Sequence, residues 1–147
     1  ERAAGRPEGS ADVWAFAKRN IADRREDAIG EIKMALAASA HHAFRFTLEG
    51  KNVPEDLRES VMAFQGEYVP VEHEKVGETR NAALSDELGL TEFLAERFAV
   101  AGTPAECLAK VRTIQEAGVD CLLITAMGPE PNVIIRRFGE DVIARLR

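Results

Sequence analysis

Three short apolar runs, separated by segments with helical spacing, constrain the fold of this chain more than any other feature. The runs cover residues 12–18, 97–101 and 119–125. The first run is apolar on both of its alternating faces, which is typical of a strand buried on two sides in a parallel sheet. Trp14 and Phe16 are therefore expected in the core. The order of strand, helices, strand, helix, strand and helix predicts an α/β fold with parallel strands and outer helices.

The segment between the first two runs is predicted to be mainly helical. Asp23 stands three residues before Glu26, which predicts a capping box at the start of a long amphipathic helix that ends near Gly50. The rest of the segment is expected to contain a short helix over 54–66, a long loop over 67–80 and two short helices around Gly89.

The clearest local signal follows the second run. Thr103 is a favourable N-cap residue, Pro104 fits the first helical position, and Glu106 completes a capping box. A helix is therefore predicted from Pro104 to Ala117, with Gly118 as its stop. After the third run, a turn at 128–131 is expected to lead into a last amphipathic helix.

The bulk composition limits the classes of partner. The 147 residues are 46% hydrophobic and carry a net charge of −6, with 19 basic residues scattered along the chain. Nucleic-acid binding is not expected, because it needs a basic stripe that neutralises phosphates. No apolar run approaches the ~20 residues of a membrane span, so we expect no membrane partner and a cytoplasmic location. Cys107 and Cys121 lack metal-ligand spacing and are expected to be buried free thiols, without a metal site.

Three strand–helix units do not close a fold. A complete (β/α) barrel has eight units and about 250 residues, and a doubly wound sheet needs more strands and usually a Gly-rich first turn, which this sequence lacks. The chain also starts without Met on a polar stretch, residues 1–10. It is therefore expected to be a piece of a larger protein.

Residues 97–120, RFAVAGTPAECLAKVRTIQEAGVD, resemble the seventh strand, seventh helix and start of the eighth strand of the luciferase-like oxidoreductases. These barrels include FMN-dependent monooxygenases and deazaflavin-dependent reductases similar to methylenetetrahydromethanopterin reductase. The resemblance extends back through NAALSDELGL to DVWAFAKRN and forward to VIIRRFGEDVIARL. It implies that residues 1–147 are the C-terminal part of one TIM (β/α)8 barrel, strands six to eight, with an insertion at about 47–96.

The resemblance also implies a function. The parent protein would use deazaflavin (F420) or FMN for hydride transfer to, or monooxygenation of, a small organic substrate. Much of the flavin contact in this family comes from earlier strands, so the cofactor site would be incomplete and the isolated chain inactive. The alternative is a non-catalytic fragment or half-barrel interaction module, which forms a homo-oligomer or pairs with the missing N-terminal part of the barrel.

Candidate binding residues stand where strands end, because barrel active sites lie at the carboxyl ends of the strands. Lys18 or Arg19 is expected to hold an anionic substrate group or a flavin phosphate, unless it is a solvated strand end or a salt-bridge partner. Gly102 and Thr103 present backbone N–H groups at a helix start, which is an anion site unless Thr103 acts only as the N-cap. The strand end at 125–128 is a further candidate position.

Two polar positions on the long helix are also candidates. His41 and Arg45 are four residues apart on one face, where they either meet substrate over the barrel mouth or stabilise the helix surface. His42 is expected to face solvent.

His73 is the last candidate, because carboxylates at Glu72 and Glu74 flank an imidazole that titrates near neutrality. It lies in the insertion, which in the resembled family often borders the substrate entrance. No motif of nucleophilic, metallopeptidase or phosphate-loop chemistry is present, and catalytic residues stay unassigned because a bound flavin supplies the reactive atoms.

Overall fold

An open sheet of three parallel strands, with helices between them in sequence, organises the chain. The computed structural model describes residues 2–73, 75, 77–126 and 130–146. Glu74 and residues 127–129, which belong to the predicted strand end at 125–128 and the predicted turn at 128–131, lie outside these residues. The elements are β1 (Trp14–Ile21), α1 (Arg25–Gly30), α2 (Lys33–Phe44), α3 (Arg58–Glu67), α4 (Arg80–Glu87), α5 (Thr91–Phe98), β2 (Ala99–Gly102), α6 (Pro104–Glu116), β3 (Cys121–Ala126) and α7 (Pro131–Asp141). Short 3₁₀ turns occupy Arg2–Ala4, Glu55–Leu57, Pro70–Glu72 and Ile143–Arg145.

Strand β1 lies between the other two strands. Its second half pairs with β2, from Lys18 opposite Ala99 to Ile21 opposite Gly102. Its first six residues pair with β3, and the last of these pairs is Arg19 with Ala126. The predicted α/β fold, with parallel strands and an open sheet, is confirmed.

The strand order β2-β1-β3 differs from the consecutive order that three successive barrel strands would have. Consecutive barrel strands would have the order β1-β2-β3, with β2 in the centre. Helix α6 accounts for the difference, because it starts at the end of β2, packs across the side chains of β1 and leads into β3 on the far side.

One face of the sheet is covered by α6 and α7. Ala17 and Ile21 of β1 point to this face and pack with Val100 of β2. The helices contribute fully or nearly fully buried side chains, namely Cys107, Ile134, Phe138 and Val142. Burial in this apolar layer raises the pKa of the Cys107 thiol to about 11. Cys107 is thus the buried thiol that the sequence predicts, whereas Cys121 is half-exposed; both are free.

The helices between β1 and β2 form a second apolar core around α2. Helix α2 packs against α3, α4 and α5, and the fully buried side chains include Ile32, Leu36, Phe64, Leu84 and Leu94. Ala99 of β2 belongs to the same cluster, so this helical layer is continuous with the sheet. The helices within residues 47–96 therefore pack with α2 as one unit.

The predicted long helix is divided in two. Helix α1 ends at Gly30, and α2 begins after Ile32, whose φ of −114° and ψ of 8° leave the helical region. Glycine has a high conformational entropy in the unfolded chain, which weakens a helix at that point. The predicted cap is also wrong, since the N-cap position is Arg24 without a side-chain bond, and Asp23 instead accepts a hydrogen bond from Arg137 at 2.8 Å.

The strand in the second apolar run begins later in the chain than the sequence predicts. Arg97 and Phe98 complete α5, and β2 starts at Ala99. The guanidinium of Arg97 lies over the rings of Phe44, Phe93 and Phe98 at 5.4–5.9 Å, and such cation–π contacts favour the helical position.

Trp14 and Phe16 are not in the core. They are 65% and 56% exposed, because the described elements cover the opposite face of β1 at these positions. Apolar residues on both faces of a strand predict burial on two sides. In the structure, only one side of this half of β1 is covered.

Asn20 ties the carboxyl end of β1 to α1. Its side chain is fully buried, and its amide donates to the Ala28 carbonyl at 2.9 Å and to the Glu31 carboxylate at 2.8 Å. Its side-chain oxygen accepts from the backbone N–H of Ile21 at 3.0 Å. Both donors and the acceptor are satisfied, as a buried amide requires.

Replacement of this amide by a carboxylate is predicted to destabilise the fold. Asn20→Asp removes both donors and places a negative charge beside Glu31, so the free energy of unfolding should fall by about 2–4 kcal/mol. Urea denaturation followed by circular dichroism measures the change. The control is Asn132→Asp at the exposed start of α7, which should stay within about 0.5 kcal/mol of the parent; equal effects of the two changes would contradict the role of Asn20.

Candidate functional site

The half of β1 without a helical cover forms, with β3, a surface that we call the open face. Residues paired across parallel strands point to the same side, so the pairs Phe16 with Leu123 and Lys18 with Thr125 share this face with Trp14. Leu123 is 53% exposed. Contiguous exposed apolar side chains of this kind mark an interaction surface or a ligand-binding surface.

Lys18 is the cation of the open face. It lies between Phe16 and the carboxyl end of β1, and its Nζ is 4.9 Å from the centre of the Phe16 ring. On the β3 side its register partner is Thr125, whose Oγ1 is buried without a hydrogen-bond partner in the described structure. A cation and an unpaired hydroxyl thus adjoin an apolar surface, which is a composition typical of ligand sites.

Arg19 points to the opposite face, so the structure does not bring the two candidate cations together. Arg19 is 6% exposed, and its guanidinium lies over the Phe138 ring at 4.8 Å. Its Nε lacks a hydrogen-bond partner, and no carboxylate of the described residues forms an ion pair with it. Desolvation by burial lowers its pKa.

Gly102 is the last residue of β2 and Thr103 is the N-cap of α6, where the predicted capping box is confirmed. The Glu106 carboxylate accepts from both the backbone N–H and the hydroxyl of Thr103 at 2.8 Å. The hydrogen bonds from the backbone and from the hydroxyl of Thr103 lower the pKa of Glu106. The Thr103 N–H is therefore engaged by a carboxylate of the chain itself, and binding of an external anion there stays a prediction.

His41 and Arg45 do not form a joint polar patch. The His41 ring stacks on Tyr68 at 4.0 Å between centres, and its Nδ1 is buried without a hydrogen-bond partner. Desolvation by burial lowers the pKa of His41, which favours the neutral imidazole. Arg45 is exposed, with its guanidinium over the Phe46 ring at 4.5 Å.

His73 lies beside His42 and Tyr68. Its Nδ1 is 2.7 Å from the Tyr68 hydroxyl, and its Nε2 is 3.3 Å from Nε2 of His42. His42 is exposed, as the sequence predicts, but it contacts His73 as well as solvent. Glu72 does not orient the imidazole; its carboxylate accepts from the backbone N–H of Asn81 at 3.2 Å.

Sequence reasoning missed three features of these sites. Large side chains at 14 and 16 alternate with alanines at 15 and 17, and this size asymmetry could have indicated two unlike faces. Arg25 donates to Glu92 at 2.9 Å and approaches Glu106 at 3.9 Å, so it links α1 to α5 and α6 near the strand ends. Tyr68 lies in a segment without periodicity, and no sequence signal places it beside the histidines.

Within the described ranges, no helix has the length and apolar character needed to cross a bilayer. The same residues contain no group of three or more His, Cys, Asp or Glu side chains arranged to hold a metal ion.

A surface cleft of about 460 Å³ lies at the end of α6 and the start of β3, lined by residues that include Val111, Val119 and Leu146. It is at the amino end of β3, away from the strand ends where barrel chemistry occurs.

The fold has a counterpart among solved structures. The coenzyme F420-dependent tetrahydromethanopterin reductase from Methanopyrus kandleri superposes with a TM-score of 0.65 over 99% of this chain. The predicted resemblance is confirmed for the fold. Sequence identity is 21%, and the match covers 39% of the reductase chain, so this chain spans well under half of that protein's length. No protein-family model matches the sequence.

The close approach of the Gly102 backbone to the Glu106 side chain predicts that a larger residue at position 102 destabilises the fold. Its φ is +144°, and an added Cβ would lie 2.7 Å from Oε2 of Glu106. Gly102→Ala should lower the free energy of unfolding by about 1–3 kcal/mol, because the left-handed backbone and the capping carboxylate both resist a side chain. The measurement is urea denaturation. Gly139→Ala in α7, where the added Cβ meets open space, should be neutral or stabilising by up to about 1 kcal/mol; a neutral Gly102→Ala would contradict the close approach.

Proposed function

We propose that this chain is the C-terminal portion of a luciferase-like oxidoreductase that uses a deazaflavin or FMN to transfer hydride to or from a small organic substrate. The observation that carries the proposal is the match of 99% of the chain to part of an F420-dependent reductase. That likeness concerns the fold. The activity is supported by the placement of charged and apolar groups described above.

In this proposal the open face is part of the inner wall of a larger barrel, in which the three strands stand in the order β2-β1-β3 and not in consecutive order. Helices lie outside the strands of a (β/α)8 barrel, and side chains on the other face fill the interior. Helices α6 and α7 cover one face. Trp14, Phe16 and Leu123 stand on the other face, beside the helical unit that packs on β2. Further strands of the same barrel would cover these side chains, and residues 1–147 would belong to one domain with the insertion at about 47–96.

Lys18 and Arg19 are proposed as the residues that hold anionic groups of the cofactor or substrate. Lys18 would act on the inner side, and its contact with Phe16 and its pairing with Thr125 support this role. A buried guanidinium without a carboxylate partner costs several kcal/mol, and the Phe138 ring offsets only part of this cost. An anionic group such as a phosphate at Arg19 would complete the compensation. Five further residues remain proposed contacts of the substrate or cofactor, with weaker support than Lys18 and Arg19: His41, Arg45, His73, Gly102 and Thr103.

The cofactor would supply the hydride acceptor or donor, and the chain would supply orientation and exclusion of water. The similar reductase is F420-dependent, which supports deazaflavin as the cofactor. FMN, with oxygen activation and monooxygenation, is the other form of the proposal. A cytoplasmic location and inactivity of these residues alone are proposed with it.

One observation favours a second function. The exposed apolar side chains of the open face would also suit a non-catalytic half-barrel that pairs with itself or with a separate N-terminal half. In such a module, the open face would be buried when the two halves pair and exposed when they separate, and no cofactor would bind. Cofactor titration separates the two functions.

Titration of the protein at its natural full length with F420, and separately with FMN, tests the proposal. Saturable quenching of cofactor fluorescence is expected for one of the two. Lys18→Met and Arg19→Met should each weaken binding about tenfold or more, equivalent to about 1.4 kcal/mol, because each removes a cation proposed to contact an anionic group.

Lys51→Met, in the loop after α2, is the matched control and should bind like the parent. Thermal denaturation verifies that each variant is folded. Absence of binding for both cofactors would overturn the enzyme proposal and favour the interaction module. Binding that is unchanged in both the Lys18 and Arg19 variants would overturn the assignment of these two residues.

A further inference from the structure

The three histidines of the chain meet beside Tyr68, in the helical unit between β1 and β2. His41 and His42 are consecutive in α2, and His73 follows the 3₁₀ turn Pro70–Glu72. The ring centres of His42 and His73 are 4.9 Å apart, with planes nearly perpendicular at 88°. This cluster belongs to the helices and not to the strand ends, and the proposed function assigns no role to the pairing of His42 with His73.

The two facing nitrogens have the spacing of a shared metal ligand pair. Nε2 of His42 is 3.3 Å from Nε2 of His73. Two imidazole nitrogens bound to one tetrahedral Zn²⁺ at about 2.0–2.1 Å are separated by about 3.3–3.4 Å. The ligand atoms would therefore need little movement to accept an ion between them.

Tyr68 holds one of the two rings in place. Its hydroxyl is 2.7 Å from Nδ1 of His73, the nitrogen that does not face His42. Tyr68 is itself 8% exposed and stacked on the His41 ring, so the contact is supported by the packed core. Metal-binding histidines commonly have their second nitrogen fixed by a hydrogen bond of this kind, which orients the ligating nitrogen.

We propose that His42 and His73 form a two-histidine binding site for a borderline divalent metal ion such as Zn²⁺, with Tyr68 as a positioning residue. Imidazole nitrogen is a preferred ligand of Zn²⁺, Cu²⁺ and Ni²⁺. His41 is not a ligand, because its Nδ1 is buried and its ring is stacked on Tyr68. Two protein ligands leave coordination positions for water or for an oxygen of a bound molecule, as in an open metal site.

Isothermal titration of the untagged full-length protein with ZnCl₂ tests the site. The parent should bind one Zn²⁺ that His42→Gln and His73→Gln each weaken at least tenfold. Both side chains are at least partly exposed, so the variants should fold, and circular dichroism verifies this. Equal Zn²⁺ affinity in the parent and both variants, or no binding to the parent, would overturn the proposal, since the 3.3 Å contact would then be a simple imidazole–imidazole hydrogen bond.

Two further variants make the test specific. Cys121→Ala removes the more accessible thiol and should leave the Zn²⁺ affinity unchanged; loss of binding here would place the ion elsewhere. Tyr68→Phe keeps both imidazoles and should weaken binding about 10–100-fold. Cu²⁺ electron paramagnetic resonance should show two nitrogen ligands in the parent and in Tyr68→Phe but one in His73→Gln. Failure of cofactor binding would not affect these results, because the metal site does not rest on the proposed function.

Discussion

Strand β1 is hydrogen-bonded along both of its edges, and the positions of the other elements depend on that pairing. Because β2 pairs with its second half and β3 with its first six residues, the two neighbours are staggered along it. The chain therefore leaves β1 near the end of β2, and Asn20 fixes α1 there through its buried amide. The crossing of α6 over β1 follows, since it must connect β2 with β3 on opposite sides.

This arrangement makes the two faces of the sheet unequal. One face packs against α6 and α7. The other face packs against the helical unit at β2 and leaves large apolar side chains of β1 and β3 in solvent. Exposed apolar area is unfavourable in water, so the open face is best explained as a surface that other structure covers. The similar reductase is longer than this chain, which matches 39% of it; under the proposed function, further strands cover the open face and Lys18 faces the cofactor.

Features set by neighbouring residues in sequence could be predicted, and features set by distant contacts could not. The capping box at Thr103 depends on four consecutive residues, and the apolar runs identify the parallel strands. The division of the long helix at Gly30 was accessible in principle, because glycine weakens helices. The strand order was not, since it depends on how α6 crosses the sheet. The predicted burial of Trp14 and Phe16 is wrong, because a sequence pattern indicates which faces of a strand are apolar but not which elements cover those faces.

The candidate sites divide in the same way. Lys18 and Arg19 could be located at a strand end, but only the structure shows that they point to opposite faces. The pairing of His42 with His73 could not be predicted from the sequence, because His73 reaches α2 through a segment without periodicity.

Hydroxyl-radical footprinting of the full-length protein, with peptide mass spectrometry, tests most directly whether the open face is an inner wall. Two aromatic side chains provide internal references: Phe64 is fully buried, and Phe46 is 85% exposed. The account predicts that Trp14 and Phe16 are protected like Phe64. Modification of both residues to the extent seen at Phe46 would show that the face is open to solvent in the whole protein and would contradict the account.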